Sequence, residues 1–134
     1  MTRREAREAA FKVAFSKSIN DELLFDIYDD IEETGPELDD FSKKLLESTF
    51  AHVDAIDEII SKNLVGWTLH RIPKVSLALL RISAAQLLYF DDIPESVVIN
   101  EAVELAKRYG SDDEYSFVNG ALRGILESVK SAKE

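Results

Sequence analysis

Few residues in this chain could do covalent chemistry. Catalysis needs a nucleophile beside a base, a paired acid and base, or a bound metal or cofactor. The 134 residues include no cysteine and two histidines. His52 and His70 lie far apart in the chain, so neither has the other at metal-binding helical spacing. No Gly-rich phosphate loop, Gly-x-Ser-x-Gly or His-Glu-x-x-His is present. Two acidic clusters, Asp91-Asp92 and Asp112-Asp113-Glu114, fall where helices begin, and carboxylates there suit the helix dipole. The sequence argues against an enzyme and calls for no metal or cofactor. It points to binding. Arg3, Arg4 and Arg7 crowd the start of the chain, and Arg3 and Arg7, four residues apart on a helix, project together. Cations at a helix N-terminus oppose the dipole slightly, which favours a partner anion such as phosphate.

The elements that must carry these residues are helical. Thr2 to Ser18 reads as a helix opened by a capping box from Thr2 to Glu5. Phe11, Ala14, Phe15 and Ser18 share one side of it, with Arg7 at their upper end. Asn20 can cap a second helix whose Leu23, Leu24, Ile27 and Ile31 face inward, broken at Gly35-Pro36. Leu38, Phe41, Leu45, Thr49, Val53, Ile56, Ile60 and Leu64 step by three and four, which predicts one long core helix. Gly66 to Pro73 is a connector, with Trp67 as a core anchor and His70 on the surface. Val75 to Phe90 predicts a helix buried on most sides. Its one charge, Arg81, needs an acceptor, and Glu101 or Glu104 is expected to supply it.

The stretch from Ile93 to Ile125 organises the rest. Val98, Ala102, Leu105, Ala106 and Tyr109 form one helical stripe, and Val118, Ala121, Leu122, Ile125, Leu126 and Val129 form another. Pro94 suits a first helical position, and Gly110 suits a left-handed helix end. Ser111 and Glu114 have capping-box spacing. Asn119-Gly120 in the second helix is expected to allow close packing. The particular residues say more than the stripes: Ile93-Pro94, Val97, Asn100 to Lys107, Tyr109-Gly110 and Phe117 to Gly120 occur in order. This run resembles the NusB family of bacterial transcription antitermination factors, and the likeness extends over nearly the whole chain.

The resemblance implies an all-α fold of about seven helices in two packed subdomains. They would form a single RNA-binding domain over 1–134, with halves at about 1–65 and 66–130. It implies a cytoplasmic factor that pairs with NusE, a small-subunit ribosomal protein. Together they would bind single-stranded boxA RNA of ribosomal RNA transcripts within the RNA polymerase antitermination complex. Arg3, Arg4 and Arg7 match the family's arginine-rich start, although Glu5 stands where a further arginine is common. Tyr109, Asp113 and Phe117 align with positions at the RNA surface. Phe15 is a further aligned aromatic on the first helix. Ser76 and Leu77 replace an acid and a base at the partner surface, beside the Leu-Arg that includes Arg81.

The formal charge of −10 stands against nucleic acid at first sight. Its distribution changes that: residues 1–17 carry +3, and residues 21–40 carry −10 with no base at all. A local basic patch remains open to phosphate. No apolar run reaches membrane-spanning length. A second reading, a protein–protein adaptor or homodimer with weak or no RNA binding, needs only the apolar seams.

Overall fold

The computed structural model describes residues 1–20 and 37–133. Six α-helices and one 3-10 turn occur among them, and no strand. They are α1 (Arg3–Asn20), α2 (Asp40–Ala51), α3 (Val53–Lys62), the 3-10 turn Leu69–Arg71, α4 (Lys74–Tyr89), α5 (Glu95–Tyr109) and α6 (Glu114–Lys133). The all-α expectation holds. Asn20 closes α1, and the helix expected after it lies outside the described residues.

Helix α4 is the axis. Its residues from Ser76 to Leu80 and from Ile82 to Gln86 are buried, and α1, α2, α3, α5 and α6 all pack against it. A helix apolar on nearly every side has no other stable place. One contiguous core runs from Ala6 on α1 to Val129 on α6.

Local signals set the helix ends. In α1 the Thr2 N–H donates to Glu5 Oε1 (2.9 Å), and the Glu5 N–H donates to Thr2 Oγ1 (3.1 Å). This is the reciprocal box that the spacing predicts. Asp39 caps α2 by accepting the Ser42 N–H at 2.8 Å. The Ser42 hydroxyl is buried, 2.9 Å from both Asp39 Oδ1 and the Ala6 carbonyl, and ties this corner to α1.

The long helix expected from Leu38 to Leu64 is in fact two. The chain breaks at His52, whose backbone (φ −115°, ψ 23°) is not helical. The His52 ring stacks on Tyr89 at 4.1 Å. The bend lets Ile56 and Ile60 turn into the core, fully buried. Periodicity alone does not register such a bend, because the apolar spacing continues through it. The acceptor for Arg81 is also different from the expectation. Its Nε and Nη2 donate to the two oxygens of Asp57 on α3, at 2.9 and 2.8 Å. Glu101 and Glu104 are engaged by Arg4 and Lys107 instead.

Two glycines differ from their expected roles. Gly110 has φ −94°, an ordinary conformation, so it is not a left-handed cap. It is needed for space: a Cβ there would meet the Ala106 carbonyl oxygen at 2.8 Å and Glu114 Cβ at 3.0 Å. Gly120 packs against nothing, since a Cβ there would meet no atom within 4 Å. The close approach on α6 is at Gly124, against Asn63 at the end of α3.

The two glycines predict opposite signs in denaturant unfolding. Gly120→Ala is expected to stabilise by about 0.5–1 kcal/mol, the helix-interior difference between the two residues. Gly110→Ala is expected to destabilise, because a backbone oxygen stands in the way. Asp39 gives a pH signature. Its carboxyl is held below the ordinary range, first by the Ser42 N–H. A depressed carboxyl contributes stability above its unfolded pKa and loses it as pH falls through the folded value. Asp39→Ala is therefore expected to cost about 1 kcal/mol at neutral pH. Unfolding curves taken below about pH 3.9 should show the difference shrinking.

Candidate nucleic-acid interface

The three arginines of α1 have three different environments. Arg3 is exposed, with its guanidinium carbon 4.0 Å from the centre of the Phe41 ring. Arg4 is exposed and paired with Glu101 on α5, Nε to Oε2 at 3.2 Å, and that carboxylate raises the guanidinium above its ordinary value. Arg7 is buried, 5% exposed. Its Nε–H donates to Gln86 Oε1 on α4 at 2.9 Å, and Gln86 donates in turn to the Ile82 carbonyl. Burial pulls the Arg7 guanidinium below its ordinary value, Glu101 works the other way, and nearby Arg3 adds to the lowering. The i, i+4 pairing of Arg3 and Arg7 is real, since both reach the Phe41 ring. Only Arg3 reaches it from the solvent side.

Tyr109 ends α5 beside the middle of α1. Its hydroxyl donates to Glu8 Oε1 at 2.7 Å, and its ring lies 5.1 Å from that of Phe11. Arg108 pairs with the other oxygen of Glu8, and Lys12 lies 3.8 Å from Oε1. Glu8 thus gathers three groups and locks α1 to the end of α5. Tyr109 keeps 37% of its surface exposed.

Beyond Gly110 the chain turns through Ser111, Asp112 and Asp113 before α6 begins. Glu114 is the hinge pin, buried with both oxygens used. One accepts the Ser111 N–H; the other accepts the Ser76 hydroxyl at 2.8 Å. This fixes the exposed Asp113 and half-buried Phe117 at the edge of a groove of about 310 Å³, which Trp67, Ile72 and Pro73 also line. Trp67 corrects the expectation of a core anchor, because 54% of it is exposed. Ile72, 3% exposed, fills the core position of the connector instead. His70 is on the surface, as expected.

The residues expected at a partner surface separate as well. Ser76 is fully buried, and its hydroxyl is committed to Glu114. Leu77 is 4% exposed. It and Arg81 line a second groove of about 550 Å³ with Phe50, Val53, Asp57 and Lys74. Phe15 is half-buried and stacks on Phe11 at 5.9 Å. Sequence reasoning missed Gln86, Glu8 and Phe41. Gln86 left one legible sign, as a polar residue inside the most apolar run of the chain.

The described residues contain no group of three or more His, Cys, Asp or Glu able to hold a metal ion. No helix among them is long and apolar enough to cross a membrane. The arrangement offers exposed cations and a partly exposed Tyr109 where α1 meets α5, and a groove with Phe117 and Trp67 beyond the Gly110 turn. Cations and aromatic rings are what single-stranded RNA binding requires.

Comparison with known proteins agrees with the run of residues from Ile93 onward. Transcription antitermination protein NusB of Bacillus subtilis (strain 168) is 40% identical, over 98% of this chain and all of its own length. NusB of Listeria monocytogenes (serotype 4a, strain HCC23) is 41% identical over 97% of this chain. Among solved structures, T. maritima NusB superposes with a TM-score of 0.84 at 35% identity, covering 95% of this chain and 92% of its own. NusB and NusE in complex with double-stranded RNA gives a TM-score of 0.84 at 28% identity, covering 94% and 96%. The sequence model of the NusB family matches residues 4–127, and the chain belongs to that family.

Proposed function

We propose that this chain is a transcription antitermination factor. It binds boxA-type single-stranded RNA of ribosomal RNA transcripts together with NusE, and it helps the RNA polymerase antitermination complex read through terminators. It acts in the cytoplasm as a binding protein and catalyses no reaction. The observation that carries this reading is full-length likeness to NusB proteins, including one captured with NusE and RNA.

The RNA face proposed here is Arg3, Arg4, Tyr109, Asp113 and Phe117. Arg3 and Arg4 meet phosphate, while Tyr109 and Phe117 offer ring faces to unstacked bases. Arg7 belongs to the same end of the molecule as a positioning residue, holding α1 on α4 through Gln86. NusE is proposed to dock on the side that carries Phe15, Leu77 and Arg81. Ser76 contributes from inside, by orienting Glu114 beneath the turn.

Anisotropy of a labelled boxA-type RNA, titrated with the chain alone and with NusE at two salt concentrations, tests the reading. Affinity is expected to tighten when NusE is added. Phe117→Asp should weaken it by about 1–3 kcal/mol. Arg4→Ala should lower the salt slope by about 0.7. Arg7→Ala should behave differently: it strands Gln86 Oε1 and costs about 1–3 kcal/mol of folding stability. A folded protein that binds no RNA, with or without NusE, would sink the reading.

A further inference from the structure

The groove beside Phe117 has features that the fold does not use. Trp67 gives more than half its surface to water, and its neighbour Val65 is 92% exposed. Between them Gly66 adopts φ +78°, a conformation that favours glycine, and the connector turns there. Large apolar side chains held out together on a tight turn are a mark of a binding surface.

The cations nearby are also distinctive. Arg4, Lys12, Arg108 and Lys107 are each in an ion pair with a carboxylate. Arg71 and Lys74 are exposed and have no ion-pair partner among the described residues. Arg71 directly precedes Ile72, which with Pro73 forms one wall of the groove, whereas Lys74 lines the groove of Leu77 and Arg81. A slot with Trp67, Phe117, Ile72 and Pro73 in its lining, acids on one side and the uncommitted Arg71 next to its connector wall, fits a ligand with an aromatic plane and an anionic backbone. Asp113 and Glu114 stand at the groove and repel phosphate, so the backbone must run on the Arg71 side. A base entering from there brings its edge toward Asp113.

We propose that Trp67 and Phe117 form a stacking slot for one base of bound single-stranded RNA, and that Arg71 holds a phosphate beside it. The proposal rests on the RNA-binding reading above and extends the RNA path from the Gly110 turn onto the connector. A carboxylate at the base edge accepts amino hydrogens, which favours cytosine or adenine over uracil in this slot.

Trp67 is the only tryptophan in the chain, so its emission reports on the groove directly. Trp67→Phe, measured in parallel, supplies the background when NusE is present. The probes are an unlabelled boxA-type RNA for emission and the same RNA labelled for anisotropy. The expected result is Trp67 quenching that follows the anisotropy curve. Trp67→Ala should weaken RNA binding about 5- to 150-fold, with Trp67→Phe recovering most of the loss. Arg71→Ala should lower the salt slope by about 0.7. Trp67 is exposed, so these variants are expected to fold, and circular dichroism checks that. RNA binding with unchanged Trp67 emission, and wild-type affinity in Trp67→Ala, would overturn the slot and leave the RNA reading standing. No binding of RNA by chain or complex would overturn both. Loss of NusE binding in Trp67→Ala, with RNA affinity intact, would overturn the slot in favour of a protein-docking groove.

Discussion

Burial of α4 on nearly every side is the constraint on which the rest of this molecule depends. A helix in that position must satisfy each polar group it carries, because an unpaired buried group costs on the order of 1–3 kcal/mol. Three of its polar side chains find their partners on three different elements. Ser76 reaches Glu114 at the start of α6, Arg81 reaches Asp57 on α3, and Gln86 reaches Arg7 on α1. No buried side-chain nitrogen or oxygen among the described residues lacks a partner. Apolar packing is tolerant of small slips, whereas these bonds are not. They fix the rotation of α4 and, through it, the relative placement of the N-terminal arginines and the Gly110 turn.

The same constraint sorts residues that look equivalent in sequence. Arg3, Arg4 and Arg7 fall within one and a half turns of one helix, yet only two of them face solvent. The face of α1 that carries Phe11 and Ala14 must meet α4, and Arg7 lies on that face. Ser76 and Leu77 are taken inward for the same reason. Their neighbour Arg81 stays at the rim, because Asp57 on α3, beyond the break at His52, comes up to meet it.

Much of the fold was legible because its signals are local. The Thr2–Glu5 box, the stripes of α5 and α6 and the apolar run of α4 each fall within one element. What was not legible depends on pairs brought together by folding. The bend at His52 leaves the apolar spacing unchanged, so it is invisible to periodicity. The choice of Asp57 over Glu101 for Arg81 depends on how α3 and α5 lie relative to α4. Trp67 looked like an anchor on residue type alone, and Ile72, five residues on, competes for the same interior. Glycine was misread twice for a related reason: residue type gives the permission but not its use, which is steric at Gly110 and absent from the packing at Gly120.

An acidic protein can still present cations to RNA if its acids are spent as internal braces. Glu8 holds Tyr109 and Arg108, Glu101 holds Arg4, and Glu114 holds Ser111 and Ser76. These braces differ in how easily a phosphate could replace them. Glu114 is buried, and displacing it would open the turn that carries Asp113 and Phe117. Arg4 is largely exposed in its pair with Glu101, where water screens the attraction between the two charges. An incoming phosphate can therefore take Arg4 from Glu101 at little cost, while Arg7 stays where the core needs it. The arginine-rich start thus divides its work: one residue holds the helix in place, and its neighbours remain available for exchange at the surface.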